Sequence, residues 1–168
     1  SPQDRRNRKK ITGSIGEINK KEMRGSKLPM KRFETKIRVQ YYETDKMGIV
    51  HHSNYVRYLE TARTELFRDK GYAYDDMEKS GIWMPVLSVS VDFKTPAVYD
   101  EVLILACWVK KLRGASIELE YEIRGEESGE VHVTASSSHG FTTPELKPIR
   151  LKREAPGLYE MLKSQEEE

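Results

Sequence analysis

The chain holds a single cysteine, Cys107, in 168 residues, so it can form neither an internal disulfide nor a cysteine-based zinc cluster. That thiol lies in the apolar run 102–109, the setting of a buried structural cysteine rather than of a nucleophile. No apolar stretch approaches the ~18 residues that span a bilayer. No secretory signal is visible, because the N-terminus is charged and lacks an apolar centre, and the expectation is a soluble cytoplasmic protein. Residues 1–32 contain no aromatic side chain and no sustained helical periodicity, and Gly13, Gly16, Gly25 and Pro29 punctuate them. Internal repeats and low-complexity tracts are also lacking.

What is present is unevenly placed. Apolar residues make up only 37% of the chain, but they cluster between residues 33 and 141, so that region can still build a core. Residues 1–32 carry 11 Lys and Arg against 3 Asp and Glu, whereas residues 33–168 carry 18 against 24. The whole-chain charge of +2 hides this split. A basic segment can bind nucleic acid or an acidic surface. Here it reads as a flexible, solvated arm, 1–32, ahead of one domain, 33–168. It is too short and too rich in glycine for a three-helix DNA reader.

Alternation marks a strand over 35–42, with Ile37, Val39 and Tyr41 on one face. The spacing of Tyr55, Tyr58, Leu59, Ala62, Leu66 and Phe67 predicts an amphipathic helix over about 54–70. Ser53 or Asn54 can cap its start, and Gly71 suits a left-handed turn after its end. A short helix over about 74–80 ends at Gly81. Leu87, Val89, Val91 and Phe93 then alternate with polar residues. Val102–Leu112 is apolar on both faces and belongs inside a sheet. After a turn at Arg113-Gly114, Ile117, Leu119, Tyr121 and Ile123 alternate with charged residues. A second turn, 125–129, leads into Val131, Val133, Ala135, Ser137, His139 and Phe141. A terminal helix fits Pro156–Gln165. Five antiparallel strands wrapped around one long helix form an α+β architecture, the hotdog fold.

Residues 41–55 read Tyr-Tyr-Glu-Thr-Asp-Lys-Met-Gly-Ile-Val-His-His-Ser-Asn-Tyr. The order is acid (Asp45), glycine turn (Gly48), helix start. It puts a carboxylate beside free backbone N–H groups, which can bind an oxyanion. Acyl transfer requires that pairing. A lone loop aspartate is more often a turn residue. The neighbouring histidines, His51 and His52, are expected to point apart, and the nearby acids complete no metal-ligand pattern. His139 reads as a satisfied core histidine.

The pieces Tyr42-Glu43-Thr44-Asp45, Gly48-Ile49-Val50, His52-Ser53-Asn54-Tyr55 and Glu60-Thr61-Ala62-Arg63-Thr64-Glu65 resemble a known family. So do Asp92-Phe93-Lys94-Thr95-Pro96-Ala97 and Tyr99-Asp100-Glu101. The family is the hotdog acyl-CoA thioesterases of the 4-hydroxybenzoyl-CoA thioesterase type, which includes the Tol–Pal-associated bacterial enzymes. The resemblance covers about residues 33–160. It implies that Asp45 is the catalytic carboxylate and that His52 supplies a backbone donor to the thioester carbonyl, its imidazole orienting substrate or water. Gly48, Val50 and Asn54 would position the oxyanion site, with the amides of residues 50–53 as donors.

Arg113 matches a CoA-contacting arginine, Arg150 is a second candidate, and Lys110 and Lys111 are weaker ones. No cofactor or metal is implied, CoA being part of the substrate. The family forms homodimers or dimer-of-dimers tetramers with the site between subunits, and the strand 102–109 suits a sheet that continues across a dimer edge. A thioesterase branch that uses a helix acid carries a His-Gly-Gly loop. That loop is missing here, so Glu60 and Glu65 read as structural or interface groups. Two alternatives stand beside thioester hydrolysis. One is a hotdog hydratase or dehydratase pairing Asp45 with His52. The other is a non-catalytic acyl-CoA sensor whose basic arm contacts DNA.

Overall fold

A computed structural model describes residues 32–167. The basic arm predicted for 1–32 falls outside them except for Arg32. Strands β1 (Phe33–Arg38), β2 (Val86–Phe93), β3 (Val102–Leu112), β4 (Ser116–Gly125) and β5 (Val131–Gly140) form one antiparallel sheet in the order β1-β3-β4-β5-β2. Helix α1 (Ser53–Asp69) packs on the β1–β3 half of its inner face. Short helices α2 (Tyr74–Lys79), α3 (Leu151–Glu154) and α4 (Pro156–Gln165) complete the domain. This is the expected hotdog arrangement. Leu59, Ala62, Leu66 and Phe67 of α1 are buried with Leu105, Cys107, Leu119 and Ile123 of the sheet.

One boundary differs from the sequence pattern. The first strand ends at Arg38 rather than at residue 42. Tyr41 and Tyr42 extend the alternation, but they lie in a 3-10 turn, Tyr41–Glu43, and are exposed. As its two apolar faces predict, β3 is internal to the sheet, flanked by β1 and β4. Beyond β1, the end of β3 is covered by the chain's own C-terminus. Glu166 bridges Val109 in parallel, and the Glu167 N–H donates to Val109 O at 2.9 Å. Among the described residues, β1 and β2 are the two edge strands of the sheet.

A polar chain crosses the core. Arg63 on α1 donates to the Tyr74 hydroxyl at 2.9 Å and to the Tyr121 hydroxyl at 3.1 Å. Tyr121 contacts Ser137 Oγ at 2.6 Å, and Ser137 contacts His139 Nε2 at 2.7 Å. A guanidinium only donates, so Tyr121, having accepted, donates to Ser137, and Ser137 donates to His139. Burial pushes the Tyr121 hydroxyl up to about 12, which keeps its proton in place. The expected inward, buried position of His139 is observed, but the ring is only half satisfied, because Nδ1 has no partner among the described residues.

Burial, and then the Arg63 charge, lower the His139 pKa to about 4. An unfolded histidine titrates near ~6.5. Between those values the unfolded chain binds the extra proton, so stability falls as the pH drops through that window. His139→Gln should flatten the decline in melting temperature between about pH 6.5 and pH 4. Thermal melts of both proteins across that range check it, and parallel declines would count against this assignment.

Candidate active site

Asp45 sits in a loop closed by its own main chain. Its N–H donates to Ile49 O at 2.9 Å, and its carbonyl accepts from the Gly48 N–H at 2.9 Å. Its Oδ1 accepts from the Met47 N–H at 2.8 Å. The aspartate is therefore a turn residue as well as a candidate for chemistry. Oδ2 takes no hydrogen bond among the described residues. Gly48 has φ of 78°, and a Cβ there would meet nothing within 4 Å. The backbone conformation, not crowding, demands glycine. A second segment clasps the loop from the far side. The Val50 N–H donates to Ala97 O at 2.9 Å, Ile49 bridges Val98, and the Ala97 N–H donates to the Tyr55 hydroxyl at 3.2 Å.

The helix start departs from expectation. Neither Ser53 nor Asn54 caps it. The N-cap is His52, in helical conformation and with no side-chain capping bond. Asn54 is buried, and its side chain donates to Glu43 O at 2.8 Å. The His51 N–H donates to the same oxygen at 2.9 Å. The two histidine rings do not point apart but lie with centroids 4.2 Å apart, tilted by 31°. The chain enters α1 between them, and Ser53 Oγ holds His51 Nδ1 at 2.8 Å. Among the described residues, no group of three or more His, Cys, Asp or Glu could hold a metal ion.

This bonding decides which amides are open. Of the four expected oxyanion donors, Val50 and His51 are bound to carbonyls, and Ser53 lies 3.3 Å from His51 Nδ1. The His52 N–H has no acceptor among the described residues. One helix-start amide, at the positive end of the α1 dipole, thus stands open.

Asp45, His52 and Val50 line one cavity of about 370 Å³, together with Met47, Ile49, Tyr55, Phe93, Lys94, Thr95 and Pro96. The motif Asp92–Ala97 was visible in the sequence, but the sequence alone gave no role to Phe93, Lys94 or Thr95 as a wall of this cavity. Arg113 and Arg150 do not line it. Arg113 pairs with Glu118 at 3.1 Å, and Arg150 Nη1 reaches within 3.7 Å of where a Cβ on Gly114 would stand. Both are at the β3–β4 turn, the opposite end of the strands from Phe93 and Lys94. Lys110 and Lys111 are held by Glu120, Glu166 and Glu167. Glu65 pairs with Arg68 on the same helix.

A hotdog sheet with a carboxylate and an open helix-start amide in one cavity defines a class of acyl-transfer enzyme. The profile of the thioesterase-like superfamily matches residues 39–154, and the chain belongs to that family. YneP of Bacillus subtilis is 38% identical over 121 residues, covering 71% of this chain and 87% of that protein. The acyl-CoA thioester hydrolase YbgC of Escherichia coli O157:H7 is 29% identical over 96 residues, 57% of this chain and 72% of YbgC. Among solved structures, the DHNA-CoA thioesterase from Staphylococcus aureus superposes with a TM-score of 0.75 at 36% identity. It covers 79% of this chain and 89% of that one.

Gly48→Ala should destabilise the protein by about 1–2 kcal/mol, the cost of a left-handed non-glycine residue. Urea titration of both proteins checks this. An unchanged midpoint would show that the loop relaxes without strain.

Proposed function

We propose that this protein hydrolyses an acyl-CoA thioester, releasing a carboxylic acid and CoA. The observation that carries the reading is the pairing, in one cavity, of the Asp45 carboxylate with the open His52 N–H. The amide stabilises the oxyanion that forms when the thioester carbonyl is attacked. Asp45 either attacks directly, giving an acyl-aspartyl anhydride, or draws the proton from an attacking water. The His52 imidazole orients substrate or water. Ile49, Val50, Tyr55, Phe93 and Pro96 offer apolar surface to the acyl group. The thiolate leaves without help from a cofactor. YbgC and the Staphylococcus aureus enzyme, both named for CoA thioesters, support this substrate class.

The working unit in this proposal is a dimer. Helix α1 covers the β1–β3 half of the sheet and leaves much of the inner face of β2 exposed, apart from the edge contact of Phe93 with Tyr55 and the half-buried Val91. Val89 and Phe93 are 39% and 56% exposed, although their register partners Ser137 and Val133 on β5 are buried. The β2 edge also keeps its unpaired backbone groups. Antiparallel pairing of two β2 edges about a two-fold axis covers both. It also sets the Arg113 end of one sheet beside the Asp45 end of the other. Arg113 and Arg150, remote from their own pocket, then serve the partner's as phosphate ligands for CoA.

Asp45→Asn should lower kcat at least about 100-fold with little change in folding, as removal of a positioned acid–base group does. Thiol release from a panel of acyl-CoA esters measures it. Near-normal turnover by the variant would remove Asp45 from the mechanism.

Arg113→Ala should raise KM for CoA esters more than it lowers kcat, the pattern of lost uniform binding. Mixed dimers of Asp45→Asn and Arg113→Ala chains test the shared site. One site then holds both an intact Asp45 and the partner's intact Arg113, so wild-type KM returns at about half the wild-type turnover. A mixture that keeps the raised KM would place Arg113 in its own chain's site or outside binding altogether.

A further inference from the structure

One buried polar cluster remains outside the proposed chemistry. His132, at the start of β5, is 2% exposed and hydrogen-bonded at both ring nitrogens. Nε2 lies 2.6 Å from Glu101 Oε1. Nδ1 lies 2.9 Å from Thr95 Oγ1 and 3.2 Å from Thr95 O. The other carboxylate oxygen, Glu101 Oε2, accepts from the Val98 N–H at 3.0 Å. Thr95 Oγ1 also lies 3.1 Å from Val131 O. A hydroxyl has one proton. Both Thr95 contacts are satisfied together only if it donates to Val131 O and accepts from Nδ1–H. At Nε2 the ring and Glu101 Oε1 share one proton, so every polar atom of the ring is held. Such a pair is costly to bury unless every donor finds a partner, and here each does. A Cβ on Gly125 would stand 2.7 Å from Glu101 Oε1 and 2.5 Å from Ser128 Oγ, so a side chain there would push Glu101 or Ser128 aside.

The cluster reaches the cavity through Thr95, which lines it. Main-chain bonds from Lys94 and Thr95 to His132 O, at 2.8 and 3.3 Å, anchor the same segment. Two residues on, Ala97 O takes the Val50 N–H, and Ile49 O takes the Asp45 N–H. We propose that His132, held by Glu101, is a positioning residue. It fixes Thr95 and the segment 94–98, and through that segment the loop that carries Asp45. The proposal rests on Asp45 being the reacting group.

Three variants separate this role from plain stability. Asn at 132 can keep a donor near Nδ1 and so holds Thr95 but abandons Glu101. Gln keeps a donor near Nε2 and so holds Glu101 but abandons Thr95. His132→Gln should therefore be the more stable variant and His132→Asn the more active one, with kcat about 10-fold apart, within the range for small misplacements. Thr95→Val should lose about 10-fold in kcat. In that background His132→Gln should add no further loss, because both changes cut the same link. Activity that follows stability across the His132 pair, or losses that add in the double variant, would overturn the proposal. If His132→Asn does not fold, the Thr95→Val cycle decides alone. Asp45→Asn, assayed alongside, keeps the two readings apart. An active Asp45→Asn protein would retire the aspartate, whereas the cycle reports on the brace whichever group reacts.

Discussion

The main-chain oxygen of Glu43 accepts two hydrogen bonds, from the His51 N–H and from the Asn54 side chain. With both lone pairs taken, the turn that follows β1 is tied directly to the first turn of α1. The helix cannot start one residue earlier without breaking one of these bonds, nor later without exposing Asn54. His52 is therefore held as the N-cap, and its N–H is the amide left over. In a capping box a side chain three residues further on accepts from such a group. Here that position is Tyr55, whose hydroxyl accepts from the Ala97 N–H instead. That open amide is the one that, in the proposed reaction, would meet the developing negative charge.

Periodic features were legible in the sequence. Leu59, Ala62, Leu66 and Phe67 announced a helix that buries one face, and the Ile117–Ile123 alternation announced a half-exposed strand. Both are near-neighbour patterns repeated over many residues. The misreadings came where one residue answers to a distant one. Tyr41 and Tyr42 continue the alternation of β1, yet the Gln40–Glu43 contact turns the chain there. Ser53 and Asn54 have good capping chemistry, but Asn54 is claimed by a carbonyl eleven residues back. Val50 was counted among open amides, although Ala97, nearly fifty positions on, takes its proton. Strand order was equally hidden. The two apolar faces of 102–112 put that strand inside the sheet, but nothing in its composition names β1 and β4 as its neighbours.

The site itself was half visible. Asp45, Gly48 and His52 stand close together in sequence, and the physics of a turn before a helix joins them. The opposite wall, Phe93 to Pro96, arrives only because β2 runs antiparallel to β5 and delivers its end to the helix start. Arg113 and Arg150 show the same limit in reverse. They fall together at one turn, as two candidates for one ligand should, but at the far end of the strands from the carboxylate.

The two margins of the sheet are built differently. β1 is six residues long and presents Glu34, Lys36 and Arg38 along its exposed face, and the stretch of β3 beyond it is sealed by Glu166 and Glu167. β2 is eight residues long and carries exposed Val86, Leu87, Val89 and Phe93. Charged short margins resist strand addition, and long apolar ones invite it. A sheet with one guarded side and one receptive side can add a single neighbour. Once two receptive sides meet, no template is left to extend. In the proposed dimer, growth along the hydrogen-bonding direction would stop at two, and the chain could carry a sticky strand without seeding a fibre.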